Sequence, residues 1–343
     1  MSYIYRGGGL LSGLLGDAEI EHWFSQERDL QSMLEFEVAL ASAQAGVGVI
    51  TDDAADAIGQ AAKNFVVDLD QLQARIAKDG VAPPGLVAQL RAAVDNAHAP
   101  SLHKGATSQD LVDTSLMQRL SEVVPILATR VESLQATLVT FADDTEIMAH
   151  TRMQRALPVT RAHKVRMWAE PLKALAANRP TEFPLSLGGP EGALAGMGDR
   201  PEKIVTAMAA ALNLRATEHC WHTDRRAVVN LCTWATEITT ALGKFGQDIA
   251  LMAQNEVAEV KLAGGGTSSA MAHKNNPIAA ETLVALARAN ATHMGGLHQA
   301  ALHENERSGA GWTLEWMHVP SIFVHAGAST RTAATLIESI AFE

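Results

Sequence analysis

The chain has 343 residues, a formal net charge of -11 and 47% hydrophobic but only 5% aromatic residues. This length exceeds one ordinary domain and the apolar fraction can bury a sizeable core; few aromatics among many alanines and leucines favour packed helices over a sandwich or barrel. The acidic balance is unsuited to non-specific binding of nucleic acid or an anionic membrane, so an anionic ligand needs a locally positive site. Cys220 and Cys232 are the only cysteines, which argues against a disulfide framework and fits a reducing cytoplasm. No apolar run reaches the ~18 residues of a membrane span, and the start, MSYIYRGGG, lacks the charged-then-apolar build of a signal peptide. A cytoplasmic protein with neither nucleic-acid nor membrane partners is expected, with no internal repeat to organise it.

From Asp17 to Ile50, Phe24, Leu30, Leu34, Val38 and Leu40 recur at helical spacing and predict an amphipathic helix. Thr51 and Asp52 read as the cap of a second helix, and Asp68 to Ile76 opens another. Pro83, Pro84 and Gly85 break the pattern. Residues 1–100 are read as a small helical domain, packed on a long-helix domain over 101–343. That domain opens on SLHKGATSQDLVDT, from Ser101 to Thr114. Thr107 and Ser108 place two hydroxyls before a helix whose first turn carries Asp110, and capping alone would account for them.

Leu116, Leu120, Val123, Leu127, Val131, Leu134, Leu138 and Phe141 then follow at steps of three and four, the spacing of a buried stripe. One helix over Gln109 to His150, of ~60 Å at 1.5 Å per residue, is predicted, with Pro125 a candidate kink. Such a helix outgrows a small domain and suggests a bundle shared between subunits. A second long helix is predicted from Asp224 to Val260, apolar on most sides, and a third from Pro277 toward Arg307.

Between these last two lies GGGTSSAMAHKNNPIAAE, from Gly264 to Glu281. Glycines give the backbone room to approach a ligand, Lys274 adds a full charge beside Ser268, Ser269 and Asn276, and Asn276-Pro277 reads as an N-cap followed by a first-turn proline. An anion could sit at the start of that helix. A plain Gly- and Ser-rich linker is the competing reading.

The order SSxMxxKxNP resembles the signature loop of the fumarase/aspartase superfamily, GSSxMPxKxNP, with Thr267 and Ala272 replacing its glycine and proline. The resemblance implies that Ser268 is the acid/base group acting on carbon and that Lys274 and Asn276 hold a substrate carboxylate, with Ser269 beside them. HxGATSQDxxDT resembles the superfamily's first conserved region in the form found in 3-carboxy-cis,cis-muconate cycloisomerases, placing His103, Thr107 and Ser108 at binding positions. HTRMQRALPVT, from His150 to Thr160, resembles the second region, with Gln154 and Pro158 in place. Amine-expelling members have Thr-His there. Here Thr151 is followed by Arg152, and an arginine that stays charged donates protons poorly to a leaving group. A lactonising enzyme has no such need, because its nucleophile is a substrate carboxylate already ionised at neutral pH. Arg152 and Arg155 are then free to bind carboxylate or to sit on the surface without a role.

WHTDRR, from Trp221 to Arg226, and HENERSGAGWTLEW, from His303 to Trp316, are similar to the cycloisomerase branch's WHTxRD and QEHERAAGAWxxEW. His219, Cys220 and His222 do not form a complete metal-ligand set and match no usual zinc spacing. The resemblance implies a mainly α fold, a homotetramer whose core is built by long helices from four subunits, sites assembled from three subunits, and no metal or cofactor. It implies lactonisation of a muconate bearing an extra acidic group, a small di- or tricarboxylate-like substrate. A fumarate-releasing lyase of the same superfamily and a non-enzymatic scaffold are the alternatives. Superfamily members continue through a further small helical domain, which this chain, ending at Glu343, is expected to lack unless the sequence is incomplete.

Overall fold

The computed structural model describes residues 9–264, 266–267 and 275–343. The fold is mainly α, as expected. A short α1 (Ser12–Leu15) precedes the predicted first helix, which is divided into α2 (Ala18–Trp23) and α3 (Gln26–Ala45), the last opened by Ser25, whose hydroxyl accepts from the Arg28 amide at 3.2 Å. Capping residues outweigh the continuous apolar spacing there. Thr51 and Asp68 cap α4 (Asp52–Lys63) and α5 (Leu69–Asp79) in the same way. The two prolines expected to break the pattern instead open α6 (Pro83–Ala93), because a first-turn proline loses no internal hydrogen bond.

The long central helix α7 runs from Ser108 to Val139 and carries Pro125 inside it. It stops short of the predicted His150. An alternating stretch folds back instead as a hairpin, β1 (Glu146–Thr151) against β2 (Gln154–Thr160), with Thr151 opposite Gln154. Arg152 and Met153 form its two-residue turn, both left-handed, at φ 49 and 66, as a tight hairpin turn demands. Thr160 then caps α8 (Arg161–Ala177), and α9 (Pro201–Ala211) follows a glycine-rich loop.

The second long helix, α10 (Arg226–Met252), is shorter than predicted. Beyond it come β3 (Val260–Leu262), and then β4 (Gly266–Thr267) paired with β5 (Asn275–Asn276). Pro277 is the N-cap of α11 (Ile278–Ala300), and Asn276 lies in β5, so the cap stands one residue later than expected. A fourth long helix, α12 (Ala310–Ser339), went unpredicted; it leads into β6 (Ile340–Phe342), which pairs with β3.

Two apolar cores result. The larger joins α7, α8, α10, α11 and α12, and Leu120, Val123, Leu127 and Val131 of α7 and Ile238, Leu242, Phe245 and Ile249 of α10 are all buried in it. Burying each such side chain stabilises the bundle by roughly 1.5–3 kcal/mol. Close approach of α10 to α11 depends on Gly243 and Gly246: a Cβ on the latter would lie 2.7 Å from the Ala280 carbonyl oxygen. The second core packs α3 to α6 with the start of α7 and α9. Among the described residues no helix is long and apolar enough to cross a membrane.

Candidate active site

The first turn of α7 is held by one carboxylate. Asp110 is fully buried; its Oδ2 accepts from the Thr107 amide at 2.9 Å and the Gly189 amide at 3.0 Å, and its Oδ1 from the Gly188 amide at 2.7 Å. His222 Nε2 lies 2.7 Å from the same Oδ1. Four donors around one carboxylate bind the Ala106–Thr107 turn to the Gly188–Gly198 loop. Burial works against the His222 charge, but the Asp110 hydrogen bond and the neighbouring Cys220 outweigh it and raise the imidazole to about 9. At neutral pH this is an imidazolium–carboxylate pair.

One turn further on, Arg225 is buried between two acids. Its guanidinium donates to Asp113 at 2.7 and 3.1 Å and to Glu315 of α12 at 2.8 and 2.7 Å. Burial opposes its charge, and the two carboxylates more than restore it. Trp312 Nε1 and Gln109 Nε2 donate to Asp113 as well. The WHTDRR and HENERSGAGWTLEW stretches thus meet at α7. Arg225, rather than Arg226, is the residue bound into the core; Arg226 pairs at the surface with Asp224.

On this frame stand three of the predicted residues. His103, left-handed at φ 59, donates from Nδ1 to the buried Glu37 at 2.5 Å. Burial lowers its basicity, yet the Glu37 charge and hydrogen bond prevail and raise it. Thr107 is the N-cap of α7 and Ser108 its first residue, half-buried. Arg307, which sequence reasoning assigned no role although its motif was singled out, reaches across from the α11–α12 connection and donates to Thr107 Oγ1 at 2.5 Å. An exposed guanidinium, a hydroxyl and an imidazole held above its ordinary basicity at a helix N-terminus form a corner suited to a carboxylate.

The remaining predicted residues lie elsewhere. Arg152 and Gln154 are exposed on the hairpin, and Asn276 is half-buried in β5. Ser268, Ser269 and Lys274 lie outside the described residues. The hairpin borders a cavity of about 580 Å³ lined by His150, Arg152, Lys164, Lys244 and Glu259 among others. Glu259 stands 3.7 Å from His150 and 3.9 Å from Lys164. The hairpin follows the C-terminal end of α7, whereas His103, Thr107 and Arg307 gather at its N-terminal end. A helix of 32 residues separates them by about 48 Å at 1.5 Å per residue. The structure therefore brings His103, Thr107 and Ser108 together, and does not bring Arg152 or Gln154 to them.

A family model described as "Lyase" matches residues 17–289. The 3-carboxy-cis,cis-muconate cycloisomerase of Acinetobacter baylyi is 35% identical over 343 residues, covering 95% of this chain and 76% of that protein. The solved 3-carboxy-cis,cis-muconate lactonizing enzyme of Pseudomonas putida superposes with a TM-score of 0.89 at 30% identity, covering 97% of this chain and 77% of that one. A nitrosuccinate lyase of Streptomyces davaonensis is 32% identical, covering 97% of this chain and 74% of that protein. The chain belongs to this lyase family, the fumarase/aspartase superfamily, and has its helical-bundle fold. Within it, the strongest of these likenesses are to enzymes that lactonise a carboxymuconate.

Proposed function

We propose that this protein is a cofactor-independent cycloisomerase that closes 3-carboxy-cis,cis-muconate, or a close analogue such as 3-sulfomuconate, to a muconolactone. The observation that carries the reading is the Arg307–Thr107 corner at the start of α7, in a chain 35% identical to a cycloisomerase over nearly its whole length. The corner suits the extra anionic group. A carboxylate oxygen of the substrate adds across its own conjugated double bond, and negative charge builds toward the carboxylate on the neighbouring carbon. Lys274, Asn276, Thr107, Ser108 and the start of α11 are the donors assigned to that charge, and each fixed donor of this kind contributes ~3 to 4 kcal/mol. Ser268 then delivers a proton to carbon, with the Lys274 charge making a hydroxyl competent for the task. Arg152 stays charged, donates protons poorly, and serves as a further carboxylate ligand.

The two groups of site residues lie at opposite ends of α7, so a complete site draws on more than one copy of the chain; a homotetramer in the cytoplasm is the assembly proposed. The test is loss of the conjugated-diene absorbance when purified protein meets 3-carboxy-cis,cis-muconate, run beside the sulfonated analogue. Loss with wild type and none with Ser268→Ala supports the reading. Release of fumarate from a succinylated substrate, with no diene loss, replaces it by the lyase alternative.

A further inference from the structure

The cavity of about 580 Å³ beneath the hairpin carries charges that the donors named for lactonisation do not include. It is bounded by the β1–β2 turn, the start of α8 and the end of α10. Lys244 on its wall is taken by Asp248, which also accepts from Trp168 Nε1 at 2.7 Å. Lys164, the fourth residue of α8, is placed differently. Its side chain is only 15% exposed, and its sole ion pair among the described residues is with Glu259, at 3.9 Å. That gap is too long for a hydrogen bond. Glu259 also faces His150 at 3.7 Å, and its Oε2 is buried without a hydrogen-bond partner. The carboxylate thus draws the ammonium to the cavity wall by charge without engaging its hydrogens. Arg152 lines the same cavity from the hairpin turn and has no ion pair among the described residues.

A muconate with an extra acidic group presents an anion at each end and one between. The Arg307–Thr107 corner suits the extra group, and Lys274, Asn276 and the start of α11 take the charge that builds during addition. The remaining anion is the carboxylate whose oxygen attacks, and it must be held with one oxygen free. A guanidinium fork ties both oxygens of a carboxylate, whereas an ammonium is a point charge that can hold one. We infer that Lys164 is the ligand of the nucleophilic carboxylate, positioned by Glu259. Arg152, exposed on the turn, adds a second charge to that end of the substrate. In the step, the free oxygen bonds to an alkene carbon, the π pair moves to the neighbouring carbon, and that carbon takes the proton from Ser268. Nothing is expelled, oxidised or reduced. Fixing the attacking end sets its distance and angle to the double bond, where an intramolecular reaction gains most. The inference rests on the lactonising reading and fails separately from it.

The experiment follows diene loss from 3-carboxy-cis,cis-muconate at steady state in the full chain and in two variants whose melting temperatures are measured alongside. Lys164→Gln should raise KM by at least about tenfold, as expected when a hydrogen bond between charged groups is removed. Lys164→Arg should keep KM within about threefold and lower kcat by at least about tenfold, because its fork engages the oxygen that attacks. A merely structural lysine would move the melting temperature and give no such split between KM and kcat. A wild-type KM in Lys164→Gln, or a wild-type kcat in Lys164→Arg, overturns the inference and leaves the lactonising reading standing. No diene loss by the wild type overturns both. Should the variants not fold, Ser268→Ala protein decides: reductive methylation of Lys164, followed by peptide mass mapping, should slow by about tenfold when the muconate is present at about ten times its Kd. An unchanged rate of labelling overturns the inference.

Discussion

Two buried histidines set opposite pH limits on stability. Burial, and then the charge of His293, lower His325 to about 4. Between its ordinary 6.5 and about 4 the unfolded chain binds a proton that the folded chain refuses, so stability falls as pH drops through that window. His222 is raised to about 9 by Asp110. Its contribution is complete below 6.5 and is lost as pH rises through about 9. Each limb amounts to about 3 kcal/mol at its end, and urea titrations from pH 4 to 9 should show a dome. His325→Gln should flatten the acid limb alone, and a persisting acid limb would assign the loss to other groups. Arg225 offers a sharper test. Replacing it by methionine leaves Asp113 and Glu315 buried without their partner and should cost about 3–5 kcal/mol. For Arg307, alanine should spare the melting temperature and raise KM for the carboxymuconate by at least about tenfold, with lysine recovering only part, since a bidentate fork is lost. The sequence singled out the motifs carrying Arg225 and Arg307. It could not say which arginine turns inward, because WHTDRR offers two adjacent ones and only the position of Asp113 and Glu315 distinguishes them.

Among the elements, the hairpin after α7 departs most from expectation. Periodicity carried the helix on to His150, yet Glu146–Thr151 pairs with Gln154–Thr160. A short apolar-polar alternation is easily absorbed into a helical stripe, and Arg152-Met153 lacks the Asn-Gly signal that usually marks such a turn. Two non-glycine residues at φ 49 and 66 make the turn costly. Met153→Gly should stabilise the protein by about 1 kcal/mol while keeping activity, measured by denaturant midpoint and diene loss together. Long stripes were legible: the second long helix was read as apolar on most sides, and Val228, Leu231, Ala235, Ile238, Leu242, Phe245, Ile249 and Met252 of α10 are all buried. Prolines 83 and 84 were misread as a break because the sequence alone does not tell a helix start from a helix stop.

For the whole molecule, the separation of the site residues matters most. His103, Thr107 and Arg307 occupy one end of α7, and Arg152 and Gln154 follow the other. If copies complete one another's sites, a preparation refolded from a mixture of Ser268→Ala and Arg307→Ala chains should, at substrate well below the raised KM, turn over faster than either variant alone. Failure to recover activity from well-folded mixed assemblies would argue that each chain works by itself. Sequence by itself determined the helical class, the family and the chemistry-bearing residue types, because apolar period, capping and short motifs are local along the chain. Only the tertiary structure decided that Asp110 gathers a turn, a glycine loop and an imidazole, that Arg225 bridges acids from two helices, and that Arg307 reaches Thr107 across 200 positions. These contacts join segments far apart in the chain, and their energy depends on distance and burial, which spacing along a sequence does not encode.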